Sequence, residues 1–253
     1  LIRPVFFHYH LCRALAELGK ADEAVAAADK AVQEAAGDGE ALAVRLRKHL
    51  VLCVLGKWAD AVAEGKKLFQ EFDSPADKQK VRHAQARAFW GMKKPLDAEA
   101  MLRAVLADDP DDAVACNDLG YHLADQGRNL DEAERLVRHA LAVDRIERRK
   151  QPGADAESAS YLDSLGWVFF RQGKFVEARA ELEKALKFPD GTSDPVVWDH
   201  LGDVLFRLGE KAKARAAWEK AKELYDADLR LSAPGKRDGR RDEVARKLAR
   251  VPQ

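Results

Sequence analysis

The sequence is poor in cysteine, in long apolar runs and in any excess of one charge. Its 253 residues contain three cysteines, which lie far apart with no CxxC spacing. We therefore predict that Cys12, Cys53 and Cys116 are buried small hydrophobic side chains, since this distribution suits neither a disulfide framework nor a metal site. Lys plus Arg and Asp plus Glu each total 43, so the chain lacks the overall basic field that favours nucleic acid. No apolar run is long enough to cross a bilayer.

Catalytic and metal-binding motifs are also missing. The sequence contains no GxSxG, P-loop, HExxH or dinucleotide-binding pattern. His8 and His10, with Cys12 nearby, suggest a metal site, but the two histidines would lie on different sides of a helix. We therefore predict that the chain is not an enzyme and has no catalytic residue, no metal site and no cofactor.

What the chain does contain is a repeated glycine that is followed a few residues later by an alanine. The glycines are 37, 35, 36, 46 and 36 residues apart, and the alanines 37, 37, 35, 45 and 36. Self-similarity at this period predicts a helical-repeat solenoid, in which each helix pair buries its apolar face against its neighbours. We expect each glycine to end the first helix of its pair in the left-handed conformation. The glycines are Gly19, Gly56, Gly91, Gly127, Gly173 and Gly209, and the alanines are Ala24, Ala61, Ala98, Ala133, Ala178 and Ala214.

We predict six repeats within an array that covers residues 1–231, and two segments that break the period. The repeats cover about residues 5–38, 42–74, 75–110, 113–146, 159–190 and 195–228. The insert 145–158 is expected to extend the second helix of repeat four until Pro152-Gly153 ends it. Residues 232–253 are interpreted as a linker and a short amphipathic helix that caps the last repeat. Repeat three needs two extra residues around 93–96, and repeat four needs one at Asn129.

Glycine also recurs in the middle of the first helix, where it costs roughly 1 kcal/mol relative to alanine. Its presence at Gly120, Gly166 and Gly202 predicts that paired helices approach closely there. The first three repeats are less regular, because the equivalent positions hold Cys12, His49 and Ala84.

The pattern Leu-Gly, Gly, Glu-Ala and Ala-Leu resembles the tetratricopeptide repeat. Repeat four carries it as Leu119-Gly120, Gly127, Glu132-Ala133 and Ala140-Leu141, and repeat five as Leu165-Gly166, Gly173, Glu177-Ala178 and Ala185-Leu186. The resemblance implies an all-α, right-handed α-α superhelical solenoid of about six helix-turn-helix repeats with a C-terminal capping helix. It also implies a non-catalytic scaffold or adaptor of bacterial type, whose first helices line a concave groove for a peptide or protein segment. The compartment stays open between the cytoplasm and the bacterial cell envelope. Because the chain begins with Leu1 rather than Met, we expect a fragment that lacks the native N-terminus.

Equivalent positions of the first helices define the predicted groove. In repeats four to six they combine carboxylates, aromatic rings and two arginines, namely Asn117, Tyr121, Asp125, Asp163, Trp167, Phe170, Arg171, Asp199, Asp203, Phe206 and Arg207. Aromatic and Arg side chains are typical interface anchors, and the carboxylates favour a partner that carries Lys or Arg. A competing interpretation is that the aromatic side chains pack between repeats, while the two arginines neutralise the acids. In repeat three the same reasoning selects Lys78, Val81, Gln85 and Phe89.

We expect a protein or peptide partner, and neither nucleic acid nor a small-molecule substrate. The basic stretches around residues 145–150 and 236–241 lack the interleaved aromatic residues that stack bases, so we interpret them as solvated charge. Membrane association and oligomeric state stay open. Two other functions also stay open: a docking or regulatory arm of a larger enzyme, and an oligomerisation module.

Overall fold

The structure is a computed structural model, and it describes residues 3–151, 153, 155, 157–231 and 239–250. Every regular element in these residues is helical, which confirms the all-α prediction. The helices are α1 (Pro4–Glu17), α2 (Ala21–Glu34), α3 (Asp38–Val54), α4 (Trp58–Glu71), α5 (Pro75–Gly91), α6 (Pro95–Asp108), α7 (Ala113–Asp125), α8 (Leu130–Arg149), α9 (Ala159–Arg171), α10 (Phe175–Ala185), α11 (Pro189–Ser193), α12 (Pro195–Arg207), α13 (Lys211–Leu231) and α14 (Gly239–Arg250).

The chain divides into two compact units. The N-terminal unit contains α1–α6, and the C-terminal unit contains α7–α14. In the N-terminal unit, α1 pairs with α2, α3 with α4 and α5 with α6, and each first helix also contacts the next first helix. In the C-terminal unit, α7 pairs with α8 and α9 with α10, and the order α7, α9, α12 is again one of adjacent first helices.

A residue with positive φ follows each first helix, and we call it the cap residue. Gly127 has φ of 68°, its N–H donates to the carbonyl of Ala124 at 2.8 Å, and the next N–H donates to the carbonyl of Leu123 at 2.9 Å. These two bonds satisfy carbonyls that the helix end would otherwise leave unpaired. Five of the six predicted glycines have this conformation: Gly19, Gly56, Gly127, Gly173 and Gly209.

The prediction for Gly91 was wrong. Gly91 is the last residue of α5, and the left-handed residue is Lys93, with φ of 56°. The Lys93 N–H donates to the carbonyl of Trp90 at 2.9 Å, as a cap residue should. Lys93 lies five residues before Ala98, the spacing that Gly19 has to Ala24, so repeat three contains no two-residue insertion. The extra residue predicted at Asn129 does exist, and it is left-handed with φ of 46°.

The residue seven positions before the cap lies where the paired helices meet. A Cβ on Gly166 would stand 2.7 Å from Cγ of Leu182 and 3.3 Å from the carbonyl oxygen of Ala178, so only glycine fits there without a shift. The N-terminal unit fills this position with buried side chains, which the corrected register identifies as Cys12, His49 and Ala86. All three cysteines of the chain are free and buried, as predicted.

Helix is present in both segments that break the period. Helix α8 continues to Arg149, so its 20 residues exceed the 14 of α2, α4 and α6, and Gly153 follows with φ of 81°. Pro152 lies outside the described residues. Helix α14 buries Val244 completely.

Candidate functional site

Two positions in each first helix define a groove in each unit. They lie ten and six residues before the cap residue. In the C-terminal unit they hold Asn117, Tyr121, Asp163, Trp167, Asp199 and Asp203, and in the N-terminal unit they hold Tyr9, Arg13, Leu46, Leu50, His83 and Arg87.

Asp163 in the C-terminal unit is held by a histidine of the next first helix. Its Oδ1 lies 2.8 Å from Nδ1 of His200, and both side chains are buried. Burial lowers the pKa of His200, but the neighbouring carboxylates, with Asp163 foremost, outweigh that and raise it above 6.5. The protonated imidazole is therefore favoured, and the pair forms a buried ion pair. Asp163 thus has a partner within the chain.

An aromatic stack continues from this ion pair. The ring of Trp167 stacks on His200 with centroids 4.2 Å apart, and Phe170 stacks on the other side of Trp167 at 4.9 Å. Tyr121 lies 6.4 Å from the His200 ring, and burial raises its pKa. Nε1 of Trp167 is buried and has no hydrogen-bond partner among the described residues. The stack therefore both packs the unit and leaves a donor that a ligand could satisfy.

Asp199 and Asp203 are bridged by a lysine from α14. Nζ of Lys247 lies 2.7 Å from Oδ1 of Asp199 and 2.8 Å from Oδ1 of Asp203. Burial lowers the pKa of Lys247, yet Asp203 and Asp199 raise it overall, so the ammonium is retained. Burial raises the pKa of Asp199 in spite of Lys247. Asp203 also accepts a hydrogen bond from Nε1 of Trp218 at 3.1 Å.

Helix α14 takes the place that a further first helix would have. Buried Val244 and half-buried Lys247 are three residues apart, as are the buried residues Val197 and His200 on α12. Lys247 contacts the acid ten residues before the last cap, as His200 contacts the equivalent acid of the preceding repeat. The chain therefore supplies a basic side chain to its own acidic groove.

The remaining predicted residues differ in exposure. Asn117 is buried, and its Nδ2 donates to Asp118. Asp125 is exposed, and its carboxylate is 3.9 Å from Arg171, whose guanidinium lies over Trp167. The Arg207 guanidinium stands 4.6 Å from the centroid of Phe175. A cavity of about 220 Å³ near the C-terminal end of α12 is lined by Phe170, Asp203, Phe206, Arg207, Trp218, Lys247 and Arg250.

The N-terminal unit has a larger cavity of about 560 Å³ on the groove formed by α1, α3 and α5. Its charged side chains are basic, and none of its lining residues is Asp or Glu within the described range. The lining residues are Tyr9, Arg13, Gly39, Leu42, Ala43, Leu46, Arg47, His49, Leu50, Lys80, His83, Ala84 and Arg87.

The cap residue after α5 lies two residues later than the sequence predicted, and this shift changes which side chains of α5 face the groove. Val81 and Gln85 were predicted to face it, but both are buried, and Nε2 of Gln85 donates to the carbonyl of Val62 on α4 at 3.2 Å. His83 and Arg87 line the cavity instead. The five-residue spacing from Lys93 to Ala98 was the signal that could have identified them.

Among the described residues there is neither a cluster suited to metal binding nor a helix suited to spanning a membrane. Across the described residues, no three His, Cys, Asp or Glu side chains are grouped so that they could hold a metal ion. His8 instead lies with Nδ1 2.7 Å from Oε2 of Glu34. None of the described helices is both long and apolar enough to span a membrane.

The fold and its grooves define a class of all-α helical-repeat proteins, and comparison with known proteins identifies the family. Three family models described as tetratricopeptide repeat match the chain. One matches residues 5–30, a second matches the overlapping ranges 83–153 and 118–195, and a third matches residues 195–228. The chain belongs to the tetratricopeptide repeat family. Proteins of this family bind proteins or peptides and generally serve as non-catalytic scaffolds.

One curated relative is the TPR repeat-containing protein PA4667 of Pseudomonas aeruginosa, which is 38% identical over 93 residues. The aligned region is 36% of this chain but only 14% of that relative.

Solved structures of low sequence identity share the fold. Pseudomonas aeruginosa pilF is 21% identical, with a TM-score of 0.58 over 84% of this chain and 85% of its own. PilW, described as a type IV pilus biogenesis factor, is 16% identical, with a TM-score of 0.60 over 85% and 91%. A chain of the APC/C hetero-tetramer Cut9-Hcn1 is 13% identical, with a TM-score of 0.71 over 98% of this chain and 43% of its own.

Proposed function

We propose that the chain is a non-catalytic interaction scaffold that binds a basic segment of a partner protein in the groove of its C-terminal unit. The observation that carries this proposal is the Lys247 ammonium, which lies within 2.8 Å of the carboxylates of both Asp199 and Asp203. The groove thus accepts a lysine that reaches it from an amphipathic helix. A partner helix with the same pattern has the chemistry to take that place.

The groove offers more than charge to such a segment. Phe206 is exposed and lines the cavity of about 220 Å³, and Asp125 on α7 is an exposed carboxylate. Exposed aromatic rings anchor interfaces, while carboxylates select the charge of the partner and speed its association. Because the helices are already packed, the receptor loses little conformational entropy on binding.

A partner that uses Asp199 and Asp203 must compete with α14. The apparent affinity for it is then reduced by the fraction of molecules in which α14 occupies the site. This competition sets a threshold for partner affinity and favours segments that match both the apolar contact of Val244 and the charge of Lys247. PilW, described as a type IV pilus biogenesis factor, and a chain of the hetero-tetramer Cut9-Hcn1 share the fold, which is compatible with a scaffold role.

The test uses the chain's own segment as the probe. A fluorescently labelled peptide of residues 239–250 is titrated into the wild-type chain and into the variant Val244→Asp. Val244 is fully buried, so a charged side chain at this position should release α14 from the groove. We expect Val244→Asp to bind the peptide about tenfold or more tightly than the wild type does, because the groove is vacated.

Two controls isolate the acidic pair. Asp199→Asn with Asp203→Asn in the Val244→Asp chain should reduce peptide binding about tenfold, since charge-assisted hydrogen bonds are lost. A peptide with Gln in place of the lysine of position 247 should weaken by a similar factor. Equal binding of the Lys and Gln peptides, or no binding to Val244→Asp, would contradict the proposal.

A further inference from the structure

The groove of the N-terminal unit has the opposite charge from the one just described. Arg13, Lys80 and Arg87 line its cavity together with Arg47 and His83, and no carboxylate of the described chain lines it. We propose that this groove binds an acidic peptide segment of a partner protein, one in which Asp or Glu alternates with apolar side chains. This is a second interaction surface, and it does not depend on the function proposed for the C-terminal unit.

Two of the arginines have no carboxylate partner in the part of the chain that the structure describes. Within the described residues, neither Arg47 nor Arg87 lies within ion-pair distance of an Asp or Glu. Nε of Arg47 is buried and has no hydrogen-bond partner there, while its guanidinium lies 4.1 Å from the centroid of the Tyr9 ring. Arg13 and Lys80 do have acidic neighbours, Glu17 and Asp77, one turn away on the surface. Arg47 is half-buried and Arg87 is exposed. A guanidinium without a carboxylate partner is well satisfied by a ligand carboxylate, which accepts hydrogen bonds at both oxygens.

His49 is a buried and neutral residue of the cavity lining. Its side chain is 1% exposed, and its Nδ1 lies 3.7 Å from Sγ of Cys53. Burial raises the pKa of Cys53 to about 11 and lowers the pKa of His49 to about 4, so neither side chain is charged near neutral pH. Nε2 of His49 is buried with no hydrogen-bond partner in the described part of the chain. His49 therefore brings no charge of its own to the cavity.

The rest of the cavity indicates what lies between the acidic groups of the ligand. Leu42, Leu46 and Leu50 lie on one helix, α3, and supply apolar surface along the floor of the cavity. A volume of about 560 Å³ is large enough for several side chains of a peptide. An extended segment that alternates acidic and apolar residues would place carboxylates against the arginines and apolar groups against the leucines.

A peptide fits this surface better than a nucleic acid. Single-stranded nucleic acid is held by aromatic rings on which bases stack. Tyr9 is the one Phe, Tyr or Trp among the lining residues, and Arg47 covers a face of its ring. The groove therefore offers positive charge without a stacking platform.

The test measures binding of a fluorescently labelled short peptide of alternating Glu and Leu to the full chain. We expect Arg47→Gln with Arg87→Gln to weaken binding about tenfold or more, because two charge-assisted contacts are removed. Arg103→Gln is the matched control, since Arg103 belongs to the same unit but pairs with Glu99 outside the cavity, and it should bind the peptide as the wild type does. Circular dichroism confirms that the variants are folded.

Three results would overturn the proposal. A Gln-Leu peptide that binds as tightly as the Glu-Leu peptide would show that carboxylates are not recognised. Equal losses for Arg103→Gln and for the double variant would show a diffuse charge effect. An oligonucleotide that binds more tightly than the peptide and depends on the same two arginines would identify a nucleic-acid site instead. Val244→Asp, designed for the other unit, should leave this binding unchanged, so the two proposals fail separately.

Discussion

The grooves of the two units are formed by the same helical positions, but they differ in whether their charged side chains have partners of opposite charge within the chain. In the C-terminal unit every one of the groove carboxylates Asp163, Asp199 and Asp203 lies against a cation, which α12 supplies to Asp163 and α14 supplies to the other two. In the N-terminal unit the equivalent positions are aromatic, apolar or basic, and the cations Arg47 and Arg87 have no carboxylate partner in the described chain. The repeat therefore determines where a side chain stands, while the residue type decides whether that side chain already has a partner within the chain.

One position shows this most clearly. The residue nine positions before the cap lies next to the groove residues of the preceding repeat. On α12 it is His200, which contacts Asp163, and on α3 it is Arg47, which lies over the ring of Tyr9. Both are cations at the same place in the fold. The first is neutralised by a buried partner, whereas the second retains a full charge to offer a ligand.

The largest effect should come from breaking the buried ion pair of the C-terminal unit. Asp163→Ala leaves the imidazole of His200 buried without its carboxylate, and loss of one partner of such a pair costs about 3–5 kcal/mol of unfolding free energy. Urea denaturation followed by circular dichroism measures this loss. Asp125→Ala is the matched control in the same groove, because Asp125 is exposed and its ion pair with Arg171 should contribute less than about 1 kcal/mol.

The same variant has a characteristic pH dependence. Since the folded-state pKa of His200 is raised above 6.5, the folded protein keeps a proton that the unfolded chain releases, and this stabilisation is lost as pH rises through the raised value. Asp163→Ala should remove that loss. His49 in the N-terminal unit has a pKa of about 4, so its contribution has the opposite sign and weakens the fold as pH falls from 6.5 toward 4. If Asp163→Ala keeps the wild-type slope above pH 6.5, the ion pair is not the cause.

A second difference between the units lies where paired helices meet. Gly166→Leu should destabilise the chain by about 1–3 kcal/mol, because its first added carbon would meet Leu182 at 2.7 Å. The N-terminal unit already contains the large side chain of His49 at the equivalent position. Ala180→Leu, on the exposed face of α10, adds carbon atoms without a clash and serves as the control. An unchanged melting temperature for Gly166→Leu would show that the close approach does not restrict this position.

Much of the fold was predictable because its cause is local. Glycine in the left-handed cap and glycine between paired helices are required by backbone geometry within one repeat, so they recur visibly in the sequence. Lys93 was missed because Gly91 stands two residues earlier, and a lysine in the left-handed conformation carries no comparable signal.

The state of the candidate site was less predictable, because it depends on contacts between repeats. The acids Asp163, Asp199 and Asp203 lie on first helices, as predicted. Their partners His200 and Lys247 come from other helices, α12 and α14. Of the two arginines that the competing interpretation used as neutralising groups, Arg171 lies over Trp167 and is also 3.9 Å from the exposed carboxylate of Asp125. Arg207 lies over the ring of Phe175. A count of charges along one helix cannot show such pairing, whereas the position nine residues before the cap would have indicated it.

The smallest effect concerns the cation of the N-terminal groove. Tyr9→Leu removes the ring beneath Arg47, and a cation–π contact of this exposure contributes about 0.5–1 kcal/mol. Tyr9→Phe keeps the ring and should cost less, so the difference between the two variants in urea denaturation isolates the contact. A loss as large as that of Asp163→Ala would mean that Arg47 is held as firmly as His200. The charge of the N-terminal groove would then be committed to the fold rather than available to a ligand, and the contrast between the two units would disappear.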